Sequence, residues 1–119
     1  MHMIIAKWTI LEGKRTKAIA ALKILEKEVR TKEPFVLMYT INTPDFQMTN
    51  FPTPPENEVI FVSVFASKQA FQKHLNGPIF QNWLKKYKGL FLTNNDNLFV
   101  LAEWVKREVG YVRPQMVTE

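Results

Sequence analysis

The chain has 119 residues and a mass of 13.9 kDa, and its 16 basic and 11 acidic side chains give a formal net charge of +5. This is the length of one domain, and a hydrophobic content of 46% with 23% charged residues excludes intrinsic disorder. The absence of cysteine excludes disulfides and thiolate chemistry, and two histidines leave little for a metal site, so no metal is expected. No apolar run approaches the roughly 20 residues of a membrane span and no signal-peptide pattern opens the chain, so we expect a cytoplasmic domain without a membrane partner.

The first third of the chain predicts a strand followed by a helix. Ile4 to Leu11 is an almost unbroken run of β-branched and aromatic residues, which is typical of a strand. Glu33-Pro34 ends the helix that begins at Lys14, because proline pushes the preceding residue out of the α region. Between these limits apolar residues recur at helical spacing, with lysines and glutamates on the opposite face: Ala18, Ile19, Leu22, Leu25 and Val29.

The middle of the chain predicts two strands joined by a long segment. Phe35 to Asn42 and Val59 to Ala66 are the two apolar, β-prone runs. Thr43 to Asn57 separates them and holds four of the seven prolines, so it is either a functional lid or a surface loop. Its large apolar residues favour a segment that packs down over apolar surface; they are Phe46, Met48 and Phe51.

A second helical region and a fourth strand follow. Ser67 is a good N-cap, and the apolar stripe that follows it is Ala70, Phe71, His74 and Leu75. Asn76-Gly77-Pro78 interrupts the helix, which then continues to Gly89. Thr93 to Asn97 is a turn, and Leu98 to Val105 is the fourth strand. The order β-α-β-β-α-β predicts an α+β, ferredoxin-like fold with helices on one face of a four-stranded antiparallel sheet.

The strand pattern also predicts a homodimer. A sheet covered on one face alternates apolar and polar residues, yet the second and third strands are apolar on both faces. In the second strand we expect Leu37, Tyr39 and Ile41 on one face, with Val36 and Met38 on the other. Two helices cover only one face, and an exposed apolar sheet promotes aggregation. A second copy packed face to face by a two-fold axis is the simplest solution.

Three parts of the sequence resemble a known family. They are the opening Ile4–Lys14, the Glu33-Pro34 pair and Ser67–Leu75 (Ser-Lys-Gln-Ala-Phe-Gln-Lys-His-Leu), which is followed by Pro78, Phe80 and Trp83. Together they resemble the antibiotic biosynthesis monooxygenase domain of the dimeric α/β-barrel superfamily. The resemblance covers residues 3–105, so we expect one such domain there and a C-terminal tail over 106–119 that could serve as a dimer arm.

The resemblance implies a dimeric α/β barrel with a pocket between sheet and helices in each protomer. Some members of the family oxidise phenols, quinols or anthrones with molecular oxygen and no cofactor, while others isomerise, cyclise or have no known activity. A related subgroup degrades haem with an asparagine, a tryptophan and a histidine. The three corresponding places here hold Trp8, His74 and Leu84, and leucine cannot ligate iron, which disfavours haem. We therefore expect a cofactor-independent monooxygenase acting on a small aromatic substrate and O2.

The chemistry of such an oxidation indicates candidate site residues. His74 has an unperturbed pKa near neutrality and lies on the inner stripe of the second helix, so it is a candidate general base. A purely structural histidine, satisfied by a carbonyl or a tyrosine, fits the pattern equally well. Tyr39 could donate a hydrogen bond to a developing oxyanion. Large apolar side chains would line the substrate pocket, although aromatic residues at this spacing are more often core: Trp8, Phe61, Phe65, Phe71, Phe80, Trp83 and Trp104.

Two other classes of protein share features of this sequence. One is a ligand-binding, cyclase, isomerase or stress-related barrel of the same fold, which ligand-induced thermal stabilisation without oxygen uptake would indicate. The other is an RNA-recognition module, which has the same element order. Those modules carry a glycine-containing aromatic motif on the third strand, and Glu58–Phe65 has no glycine. The cations alternate with glutamates as on solvated helix faces, so we expect no nucleic-acid partner.

Overall fold

A computed structural model describes residues 1–48 and 51–116 of the chain. The strands are β1 (His2–Thr9), β2 (Val36–Asn42), β3 (Glu58–Phe65), β4 (Thr93–Asn94), β5 (Asn97–Leu98) and β6 (Leu101–Val105). The main sheet has four antiparallel strands in the order β2-β3-β1-β6, and β4 and β5 form a small hairpin. The α-helices are α1 (Arg15–Lys32), α2 (Lys68–Asn76) and α3 (Pro78–Tyr87), and short 3-10 helices span Lys88–Leu90 and Pro114–Met116. The α+β, ferredoxin-like prediction is confirmed.

The predicted break in the second helical region lies at Gly77. Ser67 caps α2 because its hydroxyl oxygen accepts a hydrogen bond from the Ala70 amide at 3.0 Å. Pro78 takes the first position of α3. A Cβ added at Gly77 would lie 2.7 Å from the Lys73 carbonyl oxygen, so the tight exit of the chain from the last turn of α2 requires glycine here.

The second strand departs from simple alternation. The pairing of β2 with β3 shifts between Val36 and Met38, which is a β-bulge. Val36 therefore shares the helix-covered face with Tyr39, and Leu37 is exposed. The expected grouping of Leu37 with Tyr39 was wrong, because an uninterrupted apolar run contains no residue that marks the extra position.

The fourth strand is shorter than the sequence suggested. Leu98 pairs with Thr93 in the β4–β5 hairpin, and β6 starts only at Leu101. Asn95 and Asp96 form the hairpin turn with φ of 52° and 64°, the left-handed conformations that short polar side chains tolerate and two-residue hairpins require. The predicted turn thus closes a separate hairpin before the edge strand begins.

The core lies between one face of the sheet and the helices. Four of the five α1 side chains predicted to face inward are buried, and Ile19 is partly buried. The alternate residues of β3 are buried too; they are Val59, Phe61, Ser63 and Phe65. The intervening β3 residues lie on the opposite face and are only partly buried; they are Ile60, Val62 and Val64. On that face β1 contributes Met3 and Ile5, which pair with Val64 and Val62. The second apolar face expected from the sequence is therefore present.

The long segment between β2 and β3 does not pack as expected. Phe46, Met48 and Phe51 expose 46%, 56% and 66% of their surface. Thr49 and Asn50, which belong to the predicted segment, lie outside the described residues, as do residues 117–119 of the tail. Apolar side chains of the tail are exposed too, among them Val109 and Tyr111. The expectation that this segment covers apolar surface of its own chain was wrong.

Candidate functional site

Three polar side chains meet beneath the helices. His74 on α2 and Glu33 at the end of α1 are both buried, and the His74 Nδ1 lies 2.6 Å from the Glu33 Oε1. On the other side of the imidazole, the Tyr39 hydroxyl lies 3.5 Å from the His74 Nε2. Glu33, His74 and Tyr39 thus form one chain of contacts, which we call the Glu–His–Tyr cluster.

Local backbone structure positions each member of the cluster. Glu33 is the C-cap of α1; its amide donates to the Val29 carbonyl at 2.9 Å, and its own carbonyl accepts from the Val36 amide at 3.0 Å. His74 is one of the two buried residues of α2. Tyr39 pairs with Ser63 on the helix-covered face of β2. Three elements of the fold, α1, β2 and α2, therefore converge on one buried imidazole.

The electrostatics of the cluster favour one hydrogen-bond direction. A carboxylate only accepts, so the His74 Nδ1–H donates to Glu33. Burial raises the pKa of the Tyr39 phenol, and the nearby Glu33 charge raises that pKa further. Tyr39 therefore stays protonated, and its O–H faces the Nε2 lone pair across a long contact. This arrangement leaves Nε2 as a proton acceptor and the tyrosine hydroxyl as a donor.

All nine candidate site residues belong to one network of ring contacts. His74 is its centre, with ring centroids 5.3 Å from Tyr39, 5.5 Å from Phe65 and 5.4 Å from Phe80. The remaining candidates connect through these three rings and are Trp8, Phe61, Phe71, Trp83 and Trp104. The structure thus brings the candidates together, while their roles in binding or catalysis stay predictions.

Two of the tryptophans predicted to line the pocket have other contacts that account for their positions. The indole N–H of Trp83 is buried and donates to the Ala21 carbonyl at 2.8 Å, which ties α3 to α1. Trp104 lies on the edge strand β6 with half of its surface exposed, and packs against Phe71 and His2. Each is linked to the imidazole through another ring, Trp83 through Phe80 and Trp104 through Phe71 and Phe65.

Sequence reasoning missed two residues of this region. The sequence identifies Glu33 only as the end of α1 and as part of the family resemblance, and it assigns no role to Phe91. Phe91 is buried with its ring centroid 5.3 Å from that of Trp8. A signal for Glu33 existed in hindsight, since an acidic residue before proline at the buried end of a helix needs a polar partner. Phe91 follows Gly89-Leu90 and carries no comparable signal.

Two surface grooves flank α1. One lies between α1 and α3, has a volume of about 320 Å³ and is lined in part by Leu25, Trp83 and Tyr87. The other lies between α1 and β2 and has a volume of about 510 Å³. We call it the α1–β2 groove; its lining consists of Ile19, Leu22, Lys23, Glu26, Lys27, Arg30, Ile41 and Thr43. Neither groove is lined by His74 or Tyr39.

Within residues 1–48 and 51–116, histidine and acidic side chains form no group of three or more that could hold a metal ion. In the same part of the chain, each helix is too short or too polar to cross a membrane.

The antiparallel sheet with helices on one face, and the Glu–His–Tyr cluster beneath them, define a ferredoxin-like α+β domain with a buried polar site. The sequence profile of the antibiotic biosynthesis monooxygenase family matches residues 1–86. Because this match spans more than half of the chain, the protein belongs to that family, as the sequence resemblance indicated. No curated relative matches the sequence.

Solved structures share the fold at low sequence identity. A candidate antibiotic biosynthesis monooxygenase from Deinococcus radiodurans is 13% identical over 95% of this chain and 100% of that one, with a TM-score of 0.68. One from Caulobacter crescentus is 15% identical, over 87% and 86%, with a TM-score of 0.70. A Pseudomonas aeruginosa protein is 16% identical, over 91% and 94%, with a TM-score of 0.69. At these identities the likeness shows the fold alone.

Proposed function

We propose that the protein is a cofactor-independent monooxygenase that oxidises a small aromatic substrate of the phenol, quinol or anthrone type with O2. The observation that carries this proposal is the Glu–His–Tyr cluster, a proton acceptor and a proton donor set among aromatic rings. Membership of the antibiotic biosynthesis monooxygenase family supports the same reaction class.

In this proposal His74 is the general base. Its Nε2 removes a proton from the substrate, and Glu33 stabilises the imidazolium that forms. Tyr39, whose raised pKa keeps it protonated, donates to the substrate oxyanion. The long 3.5 Å contact holds the Tyr39 hydroxyl only weakly on His74, so the hydroxyl can turn to a substrate oxygen.

The reaction balances without an external reductant. The deprotonated substrate donates an electron to O2, and a carbon–oxygen bond then forms. For an anthrone, the ring CH2 loses two hydrogens and becomes C=O, one oxygen atom enters the product, and the other leaves as water with those hydrogens. The protein supplies apolar walls that exclude water, a base and a hydrogen-bond donor.

The proposal includes a homodimer joined through the helix-free face of the sheet. That face carries partly buried apolar side chains from β1 and β3, including Ile5, Ile60 and Val62. Burying such a face is favourable by about 25 cal/mol per Å² of apolar area. We expect sedimentation at twice the 13.9 kDa chain mass. Val62→Asp places a charge on the helix-free face and should give monomers. The control Thr16→Asp, on the exposed side of α1, should stay dimeric. A wild-type protein that is monomeric at micromolar concentration would contradict the dimer.

Oxygen uptake tests the function. An oxygen electrode records consumption by the purified protein with anthrones, quinols and naphthols, and product analysis with labelled O2 identifies one incorporated oxygen atom. His74→Ala should abolish turnover and leave the dimer intact. Substitution of the other histidine, His2→Ala, should leave turnover unchanged. If no aromatic substrate is oxidised, the oxygenase proposal fails. If a substrate is oxidised and His74→Ala keeps full activity, His74 is structural.

A further inference from the structure

The α1–β2 groove combines an apolar floor with a basic rim. Ile19 and Leu22 of α1 and Ile41 of β2 supply the floor. The rim carries three cations, Lys23, Lys27 and Arg30, against one acid, Glu26. Its volume of about 510 Å³ lies in the range of small-molecule sites. The groove therefore has room for a flat apolar body with a charged group at one end.

The cations of this groove are not equally available. Arg30 is held by Glu26, with its Nε 2.9 Å and its second guanidinium nitrogen 3.3 Å from the carboxylate oxygens. Lys23 and Lys27 make no ion pair with any residue that the structure describes. They stand four residues apart on one helix face, and like charges at that spacing repel each other. An anion between them relieves this repulsion.

We infer that the α1–β2 groove is a binding site for a small amphipathic carboxylate, with an aromatic or similarly flat apolar body on the groove floor and the carboxylate between Lys23 and Lys27. A carboxylate fits better than a phosphate, because the amides in the middle of α1 are used within the helix and only two free ammonium groups face the ligand. This inference does not rest on the oxygenase proposal, since binding is measured without turnover.

The α1–β2 groove lies close to the Glu–His–Tyr cluster along β2. Ile41 follows Tyr39 by two residues on the same, helix-covered face of β2. A ligand on the groove floor therefore lies next to the side of the fold that carries the Glu–His–Tyr cluster. The basic rim would select acids over neutral analogues of the same shape.

A matched pair of probes tests the inference. The ligands are 2-naphthoate and its neutral isostere 2-naphthamide, titrated into protein with 13C-labelled isoleucine methyl groups. We expect 2-naphthoate to shift the Ile19 and Ile41 signals and to leave Ile79, which lines the α1–α3 groove, unchanged. Lys23→Gln/Lys27→Gln should weaken 2-naphthoate about fivefold or more, and 2-naphthamide should bind both proteins equally weakly.

The control carries the same loss of charge elsewhere. Lys68→Gln/Lys85→Gln removes two exposed lysines from α2 and α3, and should leave the affinity for 2-naphthoate within twofold of wild type. The inference is overturned if 2-naphthamide binds as tightly as 2-naphthoate, if the control weakens binding as much as Lys23→Gln/Lys27→Gln, or if the shifts centre on Ile79.

Discussion

Replacing Tyr39 with phenylalanine removes the phenol of the Glu–His–Tyr cluster, and the pH dependence of stability then tests the electrostatics of that phenol. The ordinary tyrosine pKa is 10.0, and burial together with the Glu33 charge raises the pKa of Tyr39 in the folded protein. A group whose folded pKa is raised stabilises the fold fully below the unfolded pKa. That stabilisation is lost as pH rises above about 10, because the unfolded chain ionises first.

The size of the loss follows from the unfolded pKa. For a single phenol that stays protonated in the folded state, the loss of unfolding free energy is RT ln(1 + 10^(pH − 10)). This loss is negligible at pH 8 and about 1.4 kcal/mol at pH 11. Wild type should therefore lose up to about 1.4 kcal/mol more unfolding free energy between these pH values than Tyr39→Phe. The other tyrosines and the lysines titrate alike in both proteins and cancel in the comparison.

Urea unfolding at pH 8 and pH 11, followed by circular dichroism, measures this difference. Equal slopes of unfolding free energy against pH for wild type and Tyr39→Phe would show that the phenol ionises as in water. The cluster would then not shield Tyr39, and its proposed role as a permanent donor would be refuted.

Two further substitutions test the contacts around the cluster by urea unfolding at pH 7.5. Glu33→Ala leaves the buried His74 without its 2.6 Å partner, so we expect the free energy of unfolding to fall by about 3 kcal/mol. Glu33→Gln should lose less than half of that, because its amide oxygen still accepts the hydrogen bond from His74. Equal losses for the two variants would mean that this hydrogen bond does not stabilise the fold. Trp83→Phe removes the hydrogen bond to the Ala21 carbonyl and part of a buried ring, which should lower the free energy of unfolding by about 1–2 kcal/mol. An unchanged urea midpoint would show that this hydrogen bond does not hold α3 to α1.

The architecture could be predicted because its signals are local. The change from a continuous apolar run to helical spacing marks β1 and α1, and Ser67 and Gly77-Pro78 carry their own capping and breaking chemistry. His74 was found by the same rule, since its place in the apolar stripe of α2 predicts burial. Each of these inferences needs only neighbours within a few residues.

The parts that could not be predicted depend on distant contacts. The bulge after Val36 is set by pairing with β3, and nothing within the run Phe-Val-Leu-Met marks it. The burial of Glu33 results from α2 crossing over the end of α1, a contact between residues 41 positions apart. The exposure of Phe51 likewise depends on what the loop meets in space, which its composition does not encode.

The state of the His74 imidazole is the most direct test of the proposed site. Proton–nitrogen correlation spectra of 15N-histidine-labelled protein at pH 7.5 distinguish the two ring nitrogens, and His74→Gln assigns the signals. We expect a proton on Nδ1, held by Glu33, and a lone pair on Nε2, facing Tyr39. A proton on Nε2 with a bare Nδ1, or protons on both nitrogens, would contradict a base poised to accept the substrate proton.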